Sequence, residues 1–315
     1  MVSRLLIVGV PRSGSSWLAR ALGSASDCCV VSEPDNAFFR PYALKAKRGL
    51  ADYPVLTPGE THARFDRLWR FAADRSEASV HSIALGFRRR VSARVFSRLS
   101  QDDVRDAIAG RPNLTAWLAG ALSAPVRPSA ARAVLKTVHG SLSTEWIAQR
   151  VNAPVVVLHR HPCAVVSSWL RMGWTGRTGW RVPRELAVRY TQDDGGLPQA
   201  GAPLSPTEWI AWNVCTLLAH QDAVSRSVPM SYTVDHESIC ADPHHVLREL
   251  AHAVSWRWTT SIDTFIRDSD RPGDGYETNR RMSEAASAWS RHLTSRQVQV
   301  IRDVQSRFPA LHRWT

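Results

Sequence analysis

The stretch from Arg4 to Leu22, RLLIVGVPRSGSSWLARAL, decides the fold. Leu5 to Val8 is an unbroken apolar run, Gly9 to Gly14 is punctuated by Gly, Pro and Ser, and Trp17, Leu18, Ala21 and Leu22 recur at helical spacing. The segment therefore reads as strand, tight loop and helix. The helix opens near Ser13 to Ser15, where free backbone N–H groups and the positive end of the helix dipole face the loop, and Gly14 lets backbone approach a ligand closely. An anion is the expected occupant. Gly9 and Gly14 have the spacing of a Walker A loop, but Ser15 stands where a nucleotide triphosphatase needs Lys, and Arg12 is the cation inside the loop. A γ-phosphate with Mg²⁺ is thus not what this loop is built around.

PRSGSSW, Pro11 to Trp17, resembles the 5′-phosphosulfate loop of the sulfotransferase superfamily, whose donor is 3′-phosphoadenosine 5′-phosphosulfate (PAPS). The resemblance implies that Arg12 contacts the phosphosulfate, that Ser13, Gly14, Ser15 and Ser16 supply N–H and hydroxyl donors, and that Trp17 stacks on adenine. It also implies the fold: α/β, three layers, a central parallel sheet flanked by helices in the P-loop NTPase-like sulfotransferase arrangement.

Further along, Cys28 to Ser32 reads as a second buried strand that Pro34 stops, leaving Glu33 at the strand's carboxyl end, where open α/β sheets bind ligands. The Ser-Glu-Pro step is similar to the Glu-Pro of carbohydrate sulfotransferases, including the bacterial glycolipid and trehalose type, in which the Glu is the base on the acceptor hydroxyl. AVLKTVHG, Ala133 to Gly140, reads as another core strand and resembles the family's Lys-Thr step, which puts Lys136 near the transferring sulfonate. In the cytosolic branch a His directly follows that Thr as base. Here Val138 intervenes before His139, so Glu33 is the leading base and His139 the second candidate.

Asn152 to Trp174, NAPVVVLHRHPCAVVSSWLRMGW, carries a buried strand, Val155 to Leu158, and a helix opened by Pro162. It looks like the family's 3′-phosphate segment, a strand followed by Arg-x-Pro and a Ser eight residues after the Arg, which Arg160 and Ser168 match. The common Asp after that Arg is His161 here. A Walker B strand would instead end in Asp. His159 and His161 lack the Cys/His company of a metal site, so no metal is expected. YTVDHESICADP is similar to the element that follows the last core strand in many sulfotransferases, with Glu237 in the acidic position. Arg280, Arg281 and Trp289 are the candidates for the basic loop and Trp-containing helix that close over the cofactor in the family.

The remaining chain bounds the reading. The 315 residues carry a formal charge of +12, with three lysines, Lys45, Lys47 and Lys136, among 40 basic residues. That charge favours anionic partners: a nucleotide, a sulfated product, an acidic lipid surface or nucleic acid. No basic base-reading helix or aromatic RNP-type strand supports nucleic acid. Five cysteines without CxxC suggest neither a disulfide framework nor a thiolate metal site. With no apolar run near the roughly 18 residues of a membrane span, a soluble cytoplasmic protein is expected, with peripheral contact at the inner membrane face open to it. Periodicity places helices at Phe65 to Phe71, Ile83 to Leu99, Asp102 to Ala109 and Leu114 to Leu122, a helical insert of about 43–130 with a basic stripe from Arg88, Arg89, Arg90, Arg94 and Arg98. Trp174, Trp180 and Arg181 suit either a sugar platform or packing. Helices are further expected at Arg184 to Tyr190, Thr207 to Ser227, Asp242 to Val254, Ser283 to His292 and Ser295 to Phe308, with a last strand at Met230 to Asp235. Together these features predict one domain over 1–315 that transfers sulfonate from PAPS to a hydroxyl of a carbohydrate or glycolipid. The alternatives are a P-loop kinase or NTPase and a non-catalytic nucleic-acid-binding protein.

Overall fold

The computed structural model describes residues 2–74, 83–124, 129–174, 182–191, 198, 204–273, 277 and 279–314. Five strands, β1 (Arg4–Gly9), β2 (Cys28–Ser32), β3 (Arg132–Thr137), β4 (Val155–His159) and β5 (Ser231–Asp235), form a parallel sheet in the order β2-β3-β1-β4-β5. β2 pairs with β3 from Cys28 opposite Arg132 to Ser32 opposite Lys136, which brings the two strand ends bearing Glu33 and Lys136 into register. The inner strands β3 and β4 are buried at every residue, as their Val- and Leu-rich runs require of strands covered on both faces. β2 and β5, at the edges, stay partly exposed. The order reverses at β1, and loops after strands at such a switch point are where open α/β sheets bind ligands.

The chain divides into two compact units. In the first, residues 1–7 and 23–155, the insert folds as α2 (Pro41–Ala46), α3 (Ala63–Ala73), α4 (Ile83–Phe96), α5 (Gln101–Ile108) and α6 (Leu114–Leu122). Asn113 and Ser100 cap α6 and α5 as their residue types predict. α3 packs on α7 (Thr144–Val151) through Phe65 stacked on Trp146 at 5.4 Å, and Arg150 lies over the Trp146 ring at 3.7 Å. Periodicity does not find α7, because eight residues with Trp146, Ile147, Ala148 and Val151 as the apolar positions are too short a window to display a period.

In the second unit, residues 8–22 and 156–315, α10 (Pro206–Ser227) is buried on nearly all sides and packs against α8 (Pro162–Arg171), α9 (Arg184–Tyr190) and α15 (Ser295–Gln305). The expected helix from Asp242 is α12 (Pro243–Ala253). It is preceded by α11 (His236–Ala241), with Asp242 ending one and capping the other through its carboxylate on the His245 amide. α13 (Thr260–Ser269) was not expected from periodicity. The expected helix over Ser283 to His292 is instead broken into α14 (Met282–Ala285) and a 3₁₀ turn at Ala288–Arg291. No helix among the described residues is long and apolar enough to cross a membrane.

Candidate active site

In the second unit the loop after β1 is held from below. Arg12 adopts φ +73° and Gly14 φ +101°. The first is a left-handed conformation that costs a non-glycine residue energy and is kept where surroundings enforce it. A Cβ on Gly14 would lie 2.6 Å from the His236 ring, so glycine is required there by space as well as by φ. α1 (Ser15–Leu22) then starts with Ser15 buried and Ser16 exposed, while the Trp17 and Leu18 amides donate to the Gly14 carbonyl at 3.0 and 3.2 Å. Ser13 is fully buried, and its Oγ has no hydrogen-bond partner among the described residues.

Two motifs that lie 156 residues apart meet here. The Arg12 Nε donates to Ser168 Oγ at 3.0 Å, and Arg160 Nη1 donates to the Arg12 carbonyl at 2.7 Å. Trp169 fastens the same loop by donating its Nε1 to the Pro11 carbonyl at 2.9 Å. Arg160 also donates Nη2 to the Ala285 carbonyl at 3.2 Å, while its buried Nε has no hydrogen-bond partner among the described residues. Burial lowers the proton affinity of this guanidinium, Arg12 and Arg280 lower it further, and Glu237 works against them. Glu237 is itself pushed up by burial and accepts the His161 amide at 3.0 Å. Such concentrated positive charge, with the partly exposed Glu237 carboxyl against it, favours an anion electrostatically.

His161 replaces the Asp that the family pattern favours, and its ring takes over a carboxylate's work. Nδ1 accepts the Cys163 amide at 3.1 Å as N-cap of α8, while the ring stacks on Trp289 at 4.9 Å. An accepting nitrogen carries no proton, and burial, followed by Arg302 and Arg160, lowers the His161 pKa to about 4.

Trp17 is buried, its Nε1 donates to Ser269 Oγ at 2.8 Å, and its ring tilts against Phe265 at 5.8 Å. The next residues extend this tie: Arg280 N–H donates to the Ser269 carbonyl at 3.1 Å and Met282 N–H to Asp270 at 2.8 Å. Arg280 and Arg281 are thereby anchored to the segment that holds Trp17, with Arg281 3.6 Å from Glu284. A cavity of about 670 Å³ opens in this unit, lined by Glu237, Cys240, Ile266, Asp270 and Met282 among others. Sequence reasoning missed Ser269, Asp270 and Cys240, since a lone Ser, Asp or Cys at a helix end carries no motif.

In the first unit Glu33 and Lys136 form a largely buried ion pair, and the Val138 amide donates to the second carboxylate oxygen of Glu33 at 3.1 Å. Glu33 holds φ +48°, so the second proposed catalytic position is also left-handed. His139 lies beyond the end of β3, stacked on Tyr53 at 4.8 Å with Nδ1 3.8 Å from Asp52, and its burial holds it neutral, well below the usual histidine range. Lys47 is fully buried and donates to the Asp52 carbonyl at 2.6 Å. The structure adds Asp35, fully buried and hydrogen-bonded by Thr137 at 2.8 Å. Trp174 is half-buried against Trp169 at 5.5 Å. Trp180 and Arg181 lie outside the described residues, as do the side chains of Arg88 and Arg89. Among the described residues no group of three or more His, Cys, Asp or Glu could hold a metal ion.

Set beside known proteins, residues 4–260 match the model of a sulfotransferase family. The curated proteins contain no match. Among solved structures, the chain is similar to the sulfotransferase domain of the curacin biosynthetic pathway at 14% identity and TM-score 0.44, covering 98% of this chain and 99% of that one. It is similar also to the sulfotransferase domain of the Synechococcus PCC 7002 olefin synthase, at 16% identity and TM-score 0.40 over 95% and 93%. A mouse sulfotransferase complexed with PAP aligns at 8% identity and TM-score 0.43 over 96% and 82%.

Proposed function

The chain belongs to the sulfotransferase family, and on that footing we propose that it works as a single domain moving the sulfonate of PAPS onto a hydroxyl of a carbohydrate or glycolipid. One observation carries the donor assignment. The Arg12 to Ser168 and Arg160 to Arg12 hydrogen bonds bring the phosphosulfate loop and the 3′-phosphate segment into one cationic cluster. Their donor chemistry fits a nucleotide with phosphate at both ends. The buried Ser13 Oγ and Arg160 Nε, without hydrogen-bond partners among the described residues, are the kind of polar atoms a ligand oxygen satisfies. Arg160 and Ser168 would hold the 3′-phosphate, together contributing roughly 2–4 kcal/mol to binding. Ser13 to Ser16 and Arg12 would hold the 5′ end, and the cavity beside Glu237 and Met282 has room for the adenosine.

The acceptor oxygen attacks sulfur, the bond from sulfur to the bridging phosphate oxygen breaks, and that oxygen leaves with the electron pair on adenosine 3′,5′-bisphosphate. Glu33 takes the hydroxyl proton, and Arg12 and Lys136 offset the charge that develops on the sulfonate and the leaving phosphate. Glu33 is preferred over His139 because its carboxylate is aimed by an ammonium and an amide, whereas His139 packs its ring face against Tyr53.

Calorimetric titration with adenosine 3′,5′-bisphosphate, adenosine 5′-phosphate and ATP with Mg²⁺ tests the donor site. The bisphosphate should bind most tightly and without metal. Arg160→Ala should lower its affinity roughly 10- to 100-fold while changing adenosine 5′-phosphate far less. Equal losses for the two would remove the 3′-phosphate assignment, and preference for ATP would return the loop to kinase chemistry.

A further inference from the structure

The turn that carries Val138 and His139 is tied by a residue that no motif singles out. Asp35 is fully buried two positions after Glu33. Its Oδ1 accepts the Thr137 hydroxyl at 2.8 Å, and the Thr137 Oγ1 in turn accepts the Gly140 amide at 2.9 Å. This chain of bonds fixes the bend from the end of β3 to Gly140. Inside that bend, the Val138 amide donates to Glu33 Oε2 at 3.1 Å. The room is tight: a Cβ on Gly140 would come within 3.1 Å of Asp35 Oδ2 and 2.6 Å of Ile147. The second carboxylate oxygen of Asp35 has no hydrogen-bond partner among the described residues although it is buried. For folding alone this is a costly choice, since Asn would supply the same acceptor without burying a charge.

We propose that Asp35 is a positioning residue for sulfonate transfer, acting through Thr137 and the Val138 amide to aim the carboxylate of Glu33 and, by its negative charge, to counter the pull of Lys136 on that carboxylate. This rests on Glu33 being the base. The charged and titratable groups around Asp35 are Glu33 and Lys136 at the strand ends, Lys47 from α2's end, and Asp52, Tyr53 and His139 from the flanking loops. Burial raises the Asp35 pKa to about 6, Lys47 opposes that rise, and the Glu33 charge adds to it. The two carboxylates thus repel each other across the strand end. A base that keeps a lysine as ion-pair partner gains from such a neighbour.

The test uses the full chain with Asp35→Asn, Thr137→Val and Glu33→Gln, following transfer of labelled sulfonate from PAPS to octyl glucoside and to water across pH. Asp35→Asn is expected to melt no lower than the wild type, yet to lose about tenfold in kcat with KM for PAPS unchanged, and to move the acid limb of the pH profile to lower pH. Thr137→Val should lose kcat while leaving the acid limb in place, because it breaks the tie and keeps the charge. It also serves as the probe if Asp35→Asn does not fold. Wild-type kcat and an unmoved acid limb in Asp35→Asn, with Glu33→Gln inactive, would overturn the role of Asp35 alone. Full activity in Glu33→Gln would overturn the base and this inference together.

Discussion

At residue scale, Glu33 decides whether the proposed chemistry stands. A positioned base contributes about 10²- to 10⁴-fold, so Glu33→Gln should lose turnover in that range while its affinity for adenosine 3′,5′-bisphosphate stays within twofold. Retained turnover would transfer the base to His139. The Glu33 position was legible because Pro34 ends a strand one residue later and the Lys-Thr step marks the neighbouring strand. The β2 to β3 register then brings Ser32 opposite Lys136. Asp35 was not legible: Pro-Asp-Asn looks like ordinary turn chemistry, and only burial and the hydrogen bond to Thr137 distinguish it. The meeting of Arg12 with Ser168 was anticipated as two parts of one cofactor site. That they would hydrogen-bond to each other is a matter of side-chain geometry that spacing does not encode.

At element scale, α8 shows how one cap can replace another. The His161 ring accepts an α8 amide and stacks on Trp289, so His161→Ala should destabilise by about 1–3 kcal/mol, combining a lost cap with a lost ring contact. His161→Asp should recover the cap share alone. Thermal melts of the three proteins at pH 7.5 check the order, and a His161→Asp melt no better than that of His161→Ala would show that the ring contact, not the cap, holds α8. The breaks that periodicity missed have similar local causes. α14 stops where Arg160 claims the Ala285 carbonyl, a long-range bond that no window of neighbouring residues can reveal. Asp242 separates α11 from α12 because its carboxylate caps the second helix.

At the scale of the whole molecule, buried imidazoles set the acid limit. His159 is lowered to about 3 by burial and then by Arg313, His161 to about 4, and His139 and His236 lie well below the usual range. A histidine near 6.5 when unfolded and lower when folded takes its proton first in the unfolded chain. Its contribution is therefore complete above about pH 6.5 and is lost as pH falls toward the folded values. Asp35, Asp52 and Glu237, raised by burial, act in the opposite direction over part of that range, but four histidines outweigh them. Urea midpoints should fall steadily from pH 7 to pH 5, with the unfolded state binding more protons. A midpoint that is flat or rises over that interval would mean that the carboxyls dominate.

The scarcity of lysine has a practical consequence. Lys45 is exposed, whereas Lys47 is fully buried and Lys136 is buried against Glu33. An acylating reagent should mark Lys45 within its ordinary reaction time and reach the other two only when the surrounding structure opens. Mass spectra taken along such a reaction would then time the breathing of the Glu33–Lys136 pair against that of Lys47, turning two buried side chains into clocks for the first unit.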